Sequence, residues 1–169
     1  MKPEGIEIGI SGCLLGMCVR YDGSSCMRRD IIQGIGSMAR LVPFCPEHEC
    51  GMPVPREPMD LFRVSGVTRL MTVGTGRDLT GQLMDWVENR LSECRVSGLG
   101  GFILKSGSPS CGLGSARLHE SGALKRNGTG LFASSLAERF PDMPLAEDTG
   151  LVTQADLSTF LERIADAQG

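Results

Sequence analysis

Three short apolar runs in this chain end in the same way, in a loop of glycine, proline or serine that carries a cysteine. They are "IEIGISGC", leading to Cys13, "RLVPFC", leading to Cys45, and "GFILKSGSPSC", leading to Cys111. Ile6, Ile8 and Ile10 alternate as strand residues do, while Phe102, Ile103 and Leu104 form the continuous run typical of strands buried on both faces of a parallel sheet. Parallel neighbours must be joined by long crossovers, usually helices, and the segments between these runs have helical spacing. Residues 27–39 carry Ile31, Ile32, Ile35 and Met38, diluted by two glycines, and "RDLTGQLMDWVENRLSECRVSG" sets Leu79, Leu83, Trp86, Val87, Leu91 and Cys94 on one stripe. Asp78 or Thr80 is the expected cap of that helix.

The rest of the chain extends the alternation. "DLFRVSGVTRLMTV" reads as a hairpin around Ser65-Gly66, preceded by "PVPREP", which lacks donors for a sheet ladder. A glycine-rich "RNGTG" enters a helix from Leu131 to Arg139, followed by a strand near "PLAED" and a closing helix from Ala155 to Ala167. The pattern predicts a single α/β domain over 1–169, with a mainly parallel sheet flanked by helices on both faces in Rossmann-like fashion. Its site is expected at the C-terminal edge of the sheet, where the three cysteine loops fall.

A chain of 169 residues buries a sufficient core without disulfides, so the seven cysteines are not needed as staples, and their odd number argues against a closed set of bridges. No signal-type apolar run follows Met1 and no membrane-length apolar stretch occurs, which gives a cytoplasmic protein as the expectation. There such thiols are free, catalytic or metal-bound. The net charge of -3 lacks the basic excess of a dedicated nucleic-acid binder and leaves a small ligand as the expected partner.

Cys13, Cys45 and Cys111 have two readings: ligands of one metal centre, or small buried hydrophobes. A closed zinc site normally takes four ligands in close pairs, and the chain has no C-x-x-C. An iron-sulfur cubane on three thiolates, by contrast, leaves one iron open to substrate. Cys50 competes, since Cys45, His48 and Cys50 could form a local zinc clamp, whereas Cys94 reads as core. Glu47, two residues beyond Cys45, would be a base beside such a centre. Alone it reads as a solvated acid, as do Glu49 and Glu57, and His48 and His119 read as structural. In "KSGSPSCG" the hydroxyls of Ser106, Ser108 and Ser110, free backbone donors and Lys105 could cradle an anion or orient a water, or simply form a turn. "VRYDG" offers Arg20, Tyr21 and Asp22 or an ordinary Asp-Gly turn. "RNGTG" lacks the spacing of a nucleotide-binding loop.

Taken together and in order, "SGCLLGMCVRYDG", "PFCPEHECGMPVPREP" and "ILKSGSPSCG" resemble the TudS thiouracil desulfidase family, and "GTGLFASSLAERFPDMPLAEDTG" is similar to the family's C-terminal part. The resemblance implies a 4Fe-4S cluster on Cys13, Cys45 and Cys111 with one open iron, and catalytic roles for Glu47 and Ser108. It implies as substrate a thiolated pyrimidine, base or nucleotide, losing its sulfur as hydrogen sulfide without redox change. Cys50 departs from the family pattern. By charge alone, Lys105, Arg20 and Arg56 are the candidates to meet a substrate phosphate. The competing expectations are a cluster-bearing sensor or sulfur carrier without turnover, and a zinc hydrolase on Cys45, His48 and Cys50.

Overall fold

A computed structural model describes residues 5–169, so the first four residues of the expected domain lie outside it. The first strand, β1 (Glu7–Ser11), leads through a short 3-10 turn bearing Cys13 to α1 (Arg29–Gly36) and β2 (Arg40–Phe44). After α2 (Pro46–Glu49) comes a hairpin of β3 (Met59–Val64) and β4 (Val67–Thr72), then α3 (Thr80–Leu91), α4 (Cys94–Ser97) and β5 (Gly101–Leu104). A second hairpin, β6 (Ala116–Glu120) and β7 (Ala123–Gly128), precedes α5 (Leu131–Arg139), β8 (Leu145–Glu147) and α6 (Gln154–Gln168).

The strands form two sheets. One is wholly parallel, in the order β2-β1-β5-β8, and the other is mixed, in the order β4-β3-β6-β7, its two hairpins joined by the parallel pair β3 and β6. In the parallel sheet the chain leaves β1 to one side for β2 and returns to the other side for β5. The loops after β1 and β5 therefore diverge and open a crevice at the C-terminal edge, the usual ligand site of such sheets.

Helices cover both faces of the parallel sheet. Ile8, Ile10 and Ile103 pack against Ile31 and Ile35 of α1 and Leu157, Phe160 and Ile164 of α6. Val42, Phe44, Phe102 and Leu104 face Leu83, Val87 and Leu91 of α3 and Phe132 and Leu136 of α5. The Phe102 ring lies 5.0 Å from Phe44 and 5.4 Å from Phe132 between ring centres. That ring explains a glycine in the middle of β1: a Cβ on Gly9 would stand 2.3 Å from it. On the outer side, α6 is closed at its start by a capping box between Thr153 and Asp156.

Four expectations need correction. Cys94 is exposed, because α3 ends at Leu91 and the chain turns into α4, where Val96 takes the buried place. Met38 is also exposed, since α1 stops at Gly36. Neither Asp78 nor Thr80 is the N-cap of α3, which is Leu79; Asp78 Oδ1 instead accepts the Thr80 N–H, and Thr80 Oγ1 accepts the N–H of Leu70. Finally, Arg126-Asn127-Gly128 is not a loop entering α5 but the end of β7, part of a hairpin that the periodicity did not disclose. Its strand is exposed along most of its length, so no apolar alternation marks it.

Candidate active site

Cys13, Cys45 and Cys111 follow β1, β2 and β5 and come together on the wall of one cavity of about 610 Å³. Glu47, Ser108, Lys105, Arg20 and Arg56 line the same cavity. None of the three cysteines is in a disulfide; Cys13 and Cys111 are buried and Cys45 is half-buried. Burial raises the Cys13 thiol to about 12, helped by the neighbouring Cys26 and Cys45, and raises Cys45 to about 11. Cys111 is raised as well, again by burial, although the Ser11 hydroxyl acts in the other direction. Thiols so placed keep their protons until a cation replaces them.

Among the described residues, no three His, Cys, Asp or Glu side chains converge tightly enough to hold a single metal ion. The local zinc clamp is thus not formed: Cys50 lies in the turn closing α2, with its thiol 3.2 Å from the Glu47 carbonyl, packed toward the core rather than lining the cavity. The three loop cysteines suit a larger group instead. A cubane carries its ligands on separate irons and so spreads them further apart than a mononuclear ion does.

Glu47 occupies a buried position in α2, whose four residues begin at Pro46 directly after Cys45. The turn is anchored by Glu49, which accepts the N–H of Cys45 at 2.6 Å. Arg56 donates to Glu47 Oε2 from Nε at 3.0 Å and from Nη2 at 2.6 Å, and both side chains are almost wholly out of water. Ser110 Oγ donates to Oε1 at 2.8 Å. Each carboxylate oxygen is therefore fixed by the protein. Arg56 also donates to the carbonyls of Val19 and Pro53, which commits four of its five N–H groups. Its local chemistry is that of a clamp on Glu47.

The 105–112 loop is wired to its surroundings. The N–H groups of Lys105, Ser106 and Gly107 donate to Ser11, Asp148 and Ser115, those of Ser110 and Cys111 to Ser108 Oγ, and that of Gly112 to the Ser108 carbonyl. Among the described residues, the Ser108 N–H is the one backbone donor of this loop without a partner, so most of the expected free donors are already engaged. Ser108 Oγ, accepting twice, keeps its own O–H to donate. Lys105 Nζ is spent on Asp148 at 3.2 Å and Ser106 at 3.1 Å. Arg20 donates to Ser24 and lies 5.9 Å from the centre of the Tyr21 ring. The loop is held from behind by α5, whose first N–H groups reach the carbonyls of Pro109 and Ser110. That approach requires Gly130, where a Cβ would fall 2.3 Å from the Ser110 backbone.

Sequence reasoning passed over Ser11, Asp60 and Arg117, read Cys26 only as flanking a polar turn, and treated Ser110 only as a loop hydroxyl, although all five line this cavity. Proximity to Cys111 marks Ser110. Nothing local marks Asp60 and Arg117, which meet across 57 positions through the pairing of β3 and β6.

Comparison with known proteins gives three matches. The family model described as 2-thiouracil desulfurase matches residues 8–148. A Bacillus subtilis (strain 168) protein described as uncharacterized protein YbbK is 29% identical over 135 residues, which cover 76% of this chain and 88% of that protein. A solved structure described as the 4Fe-4S-dependent thiouracil desulfidase TudS superposes with a TM-score of 0.69 at 30% identity, covering 93% of this chain and 98% of that one.

Proposed function

Because this chain belongs to the 2-thiouracil desulfurase family, we propose that it converts a thiolated pyrimidine to its oxo form, with release of hydrogen sulfide and without net redox change. The observation that carries the reading is that three unbridged cysteines from three strand ends share a cavity with a carboxylate fixed at both oxygens. The cysteines fit a 4Fe-4S cluster, as named for the TudS structure, with Cys13, Cys45 and Cys111 as its ligands. When bound, such a cluster supplies one iron free of protein ligands, a soft Lewis acid toward a thiocarbonyl sulfur.

Glu47 takes a proton from water as the water oxygen attacks the thiocarbonyl carbon. Arg56, paired with Oε2, holds the carboxylate in place. Ser110, donating to Oε1, fixes its rotation and stands ready to share that proton. Ser108 offers its O–H to the substrate. The C–S bond is replaced by a C–O bond: water provides the oxygen and both hydrogens, and the products are the oxo-pyrimidine and hydrogen sulfide. No electron donor or acceptor enters the balance.

Lys105, Arg20 and Arg56 remain the candidates for a substrate phosphate, although the pairing of Lys105 with Asp148 and the commitment of Arg56 leave Arg20 the freest. The test is sulfide release by anaerobically reconstituted protein over a panel of thiolated pyrimidines, with and without a phosphate. Many equivalents of sulfide per chain are expected. A sulfur carrier or sensor would give at most one.

A further inference from the structure

The wall contributed by the mixed sheet is furnished with groups of a different chemistry. Asp60 of β3 is only 5% exposed, and its Oδ2 accepts from Arg117 Nε at 3.1 Å and shares a hydrogen bond of 2.7 Å with His119 Nε2. His119 is stacked on Phe62, with ring centres 4.3 Å apart and planes 7° from parallel. The register of β3 on β6, Phe62 opposite His119, places the three polar groups on one face. Asp60 and Arg117 line the cavity that holds the cysteines, together with the apolar side chains of Met59 and Val73. Among the described residues, nothing pairs with Asp60 Oδ1 or with the two Nη groups of Arg117. The subsite thus presents one acceptor beside a fork of donors, held by a buried anchor.

A phosphate suits this subsite poorly, because the Asp60 carboxylate cancels the Arg117 charge and would repel an anion. A neutral ligand with an N–H beside a C=O matches both groups. On the desulfidase reading, such an edge exists in either thiouracil isomer: N3–H with the C4 carbonyl in 2-thiouracil, and N3–H with the C2 carbonyl in 4-thiouracil. We propose that Asp60 Oδ1 and the Arg117 Nη groups read the N3–H and adjacent carbonyl of the pyrimidine, and so select a uracil-type ring over N3-substituted and cytosine-type rings. Leaving a buried acceptor or donor unpaired costs about 10- to 100-fold in affinity, which sets the size of the selection.

N1 and N3 flank the sulfur of 2-thiouracil equally, so its 1-methyl and 3-methyl derivatives crowd the sulfur alike and differ in the edge that is lost. Reconstituted wild-type protein is expected to release sulfide from the 1-methyl compound nearly as well as from 2-thiouracil, and from the 3-methyl compound with a kcat/KM about 10- to 100-fold lower. Arg117→Gln is expected to raise KM at least about tenfold and to erase most of the difference between the isomers, with thermal melting reporting that it folds. Equal use of the two isomers by wild type, or an unchanged KM in Arg117→Gln, overturns the assignment. Should wild type release no sulfide at all, the desulfidase reading has failed on its own. Calorimetric titration with uracil and 3-methyluracil then decides the subsite: uracil alone binding supports it, and equal binding or none contradicts it.

Discussion

At the ends of β1, β2 and β5 the cavity meets unbridged thiols that burial keeps protonated, whereas on β3 and β6 it meets Asp60, Arg117 and His119, which hold one another in place through Asp60 Oδ2. The first wall is made of separate loops, each carrying one of the thiols; the second is positioned by its own pairing and still presents Asp60 Oδ1 and the Arg117 Nη groups. Soft donors in short loops, each on a different strand, suit a group that arrives after folding and ties the loops together. Hard donors on paired strands suit recognition, where the geometry must exist before the ligand does. Glu47 stands between, in a four-residue helix, and borrows its rigidity from Arg56 and Ser110.

Substitutions on the two walls should therefore fail in different ways. The largest effect is expected from Cys111→Ala, which should reduce bound iron from about four per chain to a small fraction of that and abolish sulfide release, as read by iron analysis and visible absorbance. Full iron retention would remove Cys111 from the ligand set. Glu47→Gln should keep the iron and lower kcat by about 10²- to 10⁴-fold, the usual worth of a positioned base. Unimpaired turnover would send the search for the base elsewhere. Arg56→Met leaves the buried Glu47 charge unpaired and should cost about 3–5 kcal/mol of stability in chemical denaturation. If the loss is no more than that of a surface ion pair, the clamp on Glu47 has been overestimated.

Away from the cavity the expected effects are smaller. Thr153→Ala breaks the capping box of α6 and should cost about 1 kcal/mol without touching iron content. Asp148 offers a pH test. Burial opposes its charge, but the Ser106 N–H and the Lys105 ammonium prevail and hold the carboxyl below its ordinary 3.8. A carboxyl depressed in the folded state stabilises fully above its unfolded value and progressively less as pH falls through the native one. Stability should thus fall below about pH 4, and Asp148→Asn should flatten that part of the profile.

The same contrast explains what could be read from the sequence. The parallel sheet was legible because β1, β2 and β5 are compact apolar runs that lead into loops with glycine or proline, and a cysteine there stands out against its neighbours. Parallel topology then brings three such loops to one edge without further information. The β6-β7 hairpin was not legible, since an exposed strand needs no apolar period and is held by its pairing with β6. Asp60 and Arg117 inherit that opacity, because each looks like a surface charge until the two strands lie side by side. Cys94 failed for the opposite reason: a helical stripe was extended beyond the point where the helix ends.

The central claim is tested most directly by coupling two measurements on one anaerobic, iron-reconstituted sample: sulfide released and uracil formed from 2-thiouracil over time. The account predicts equal amounts of both, rising to many equivalents per chain with no added reductant, and neither from protein stripped of iron. Sulfide that stops at one equivalent, or uracil formed as fast by the iron-free protein, would contradict it.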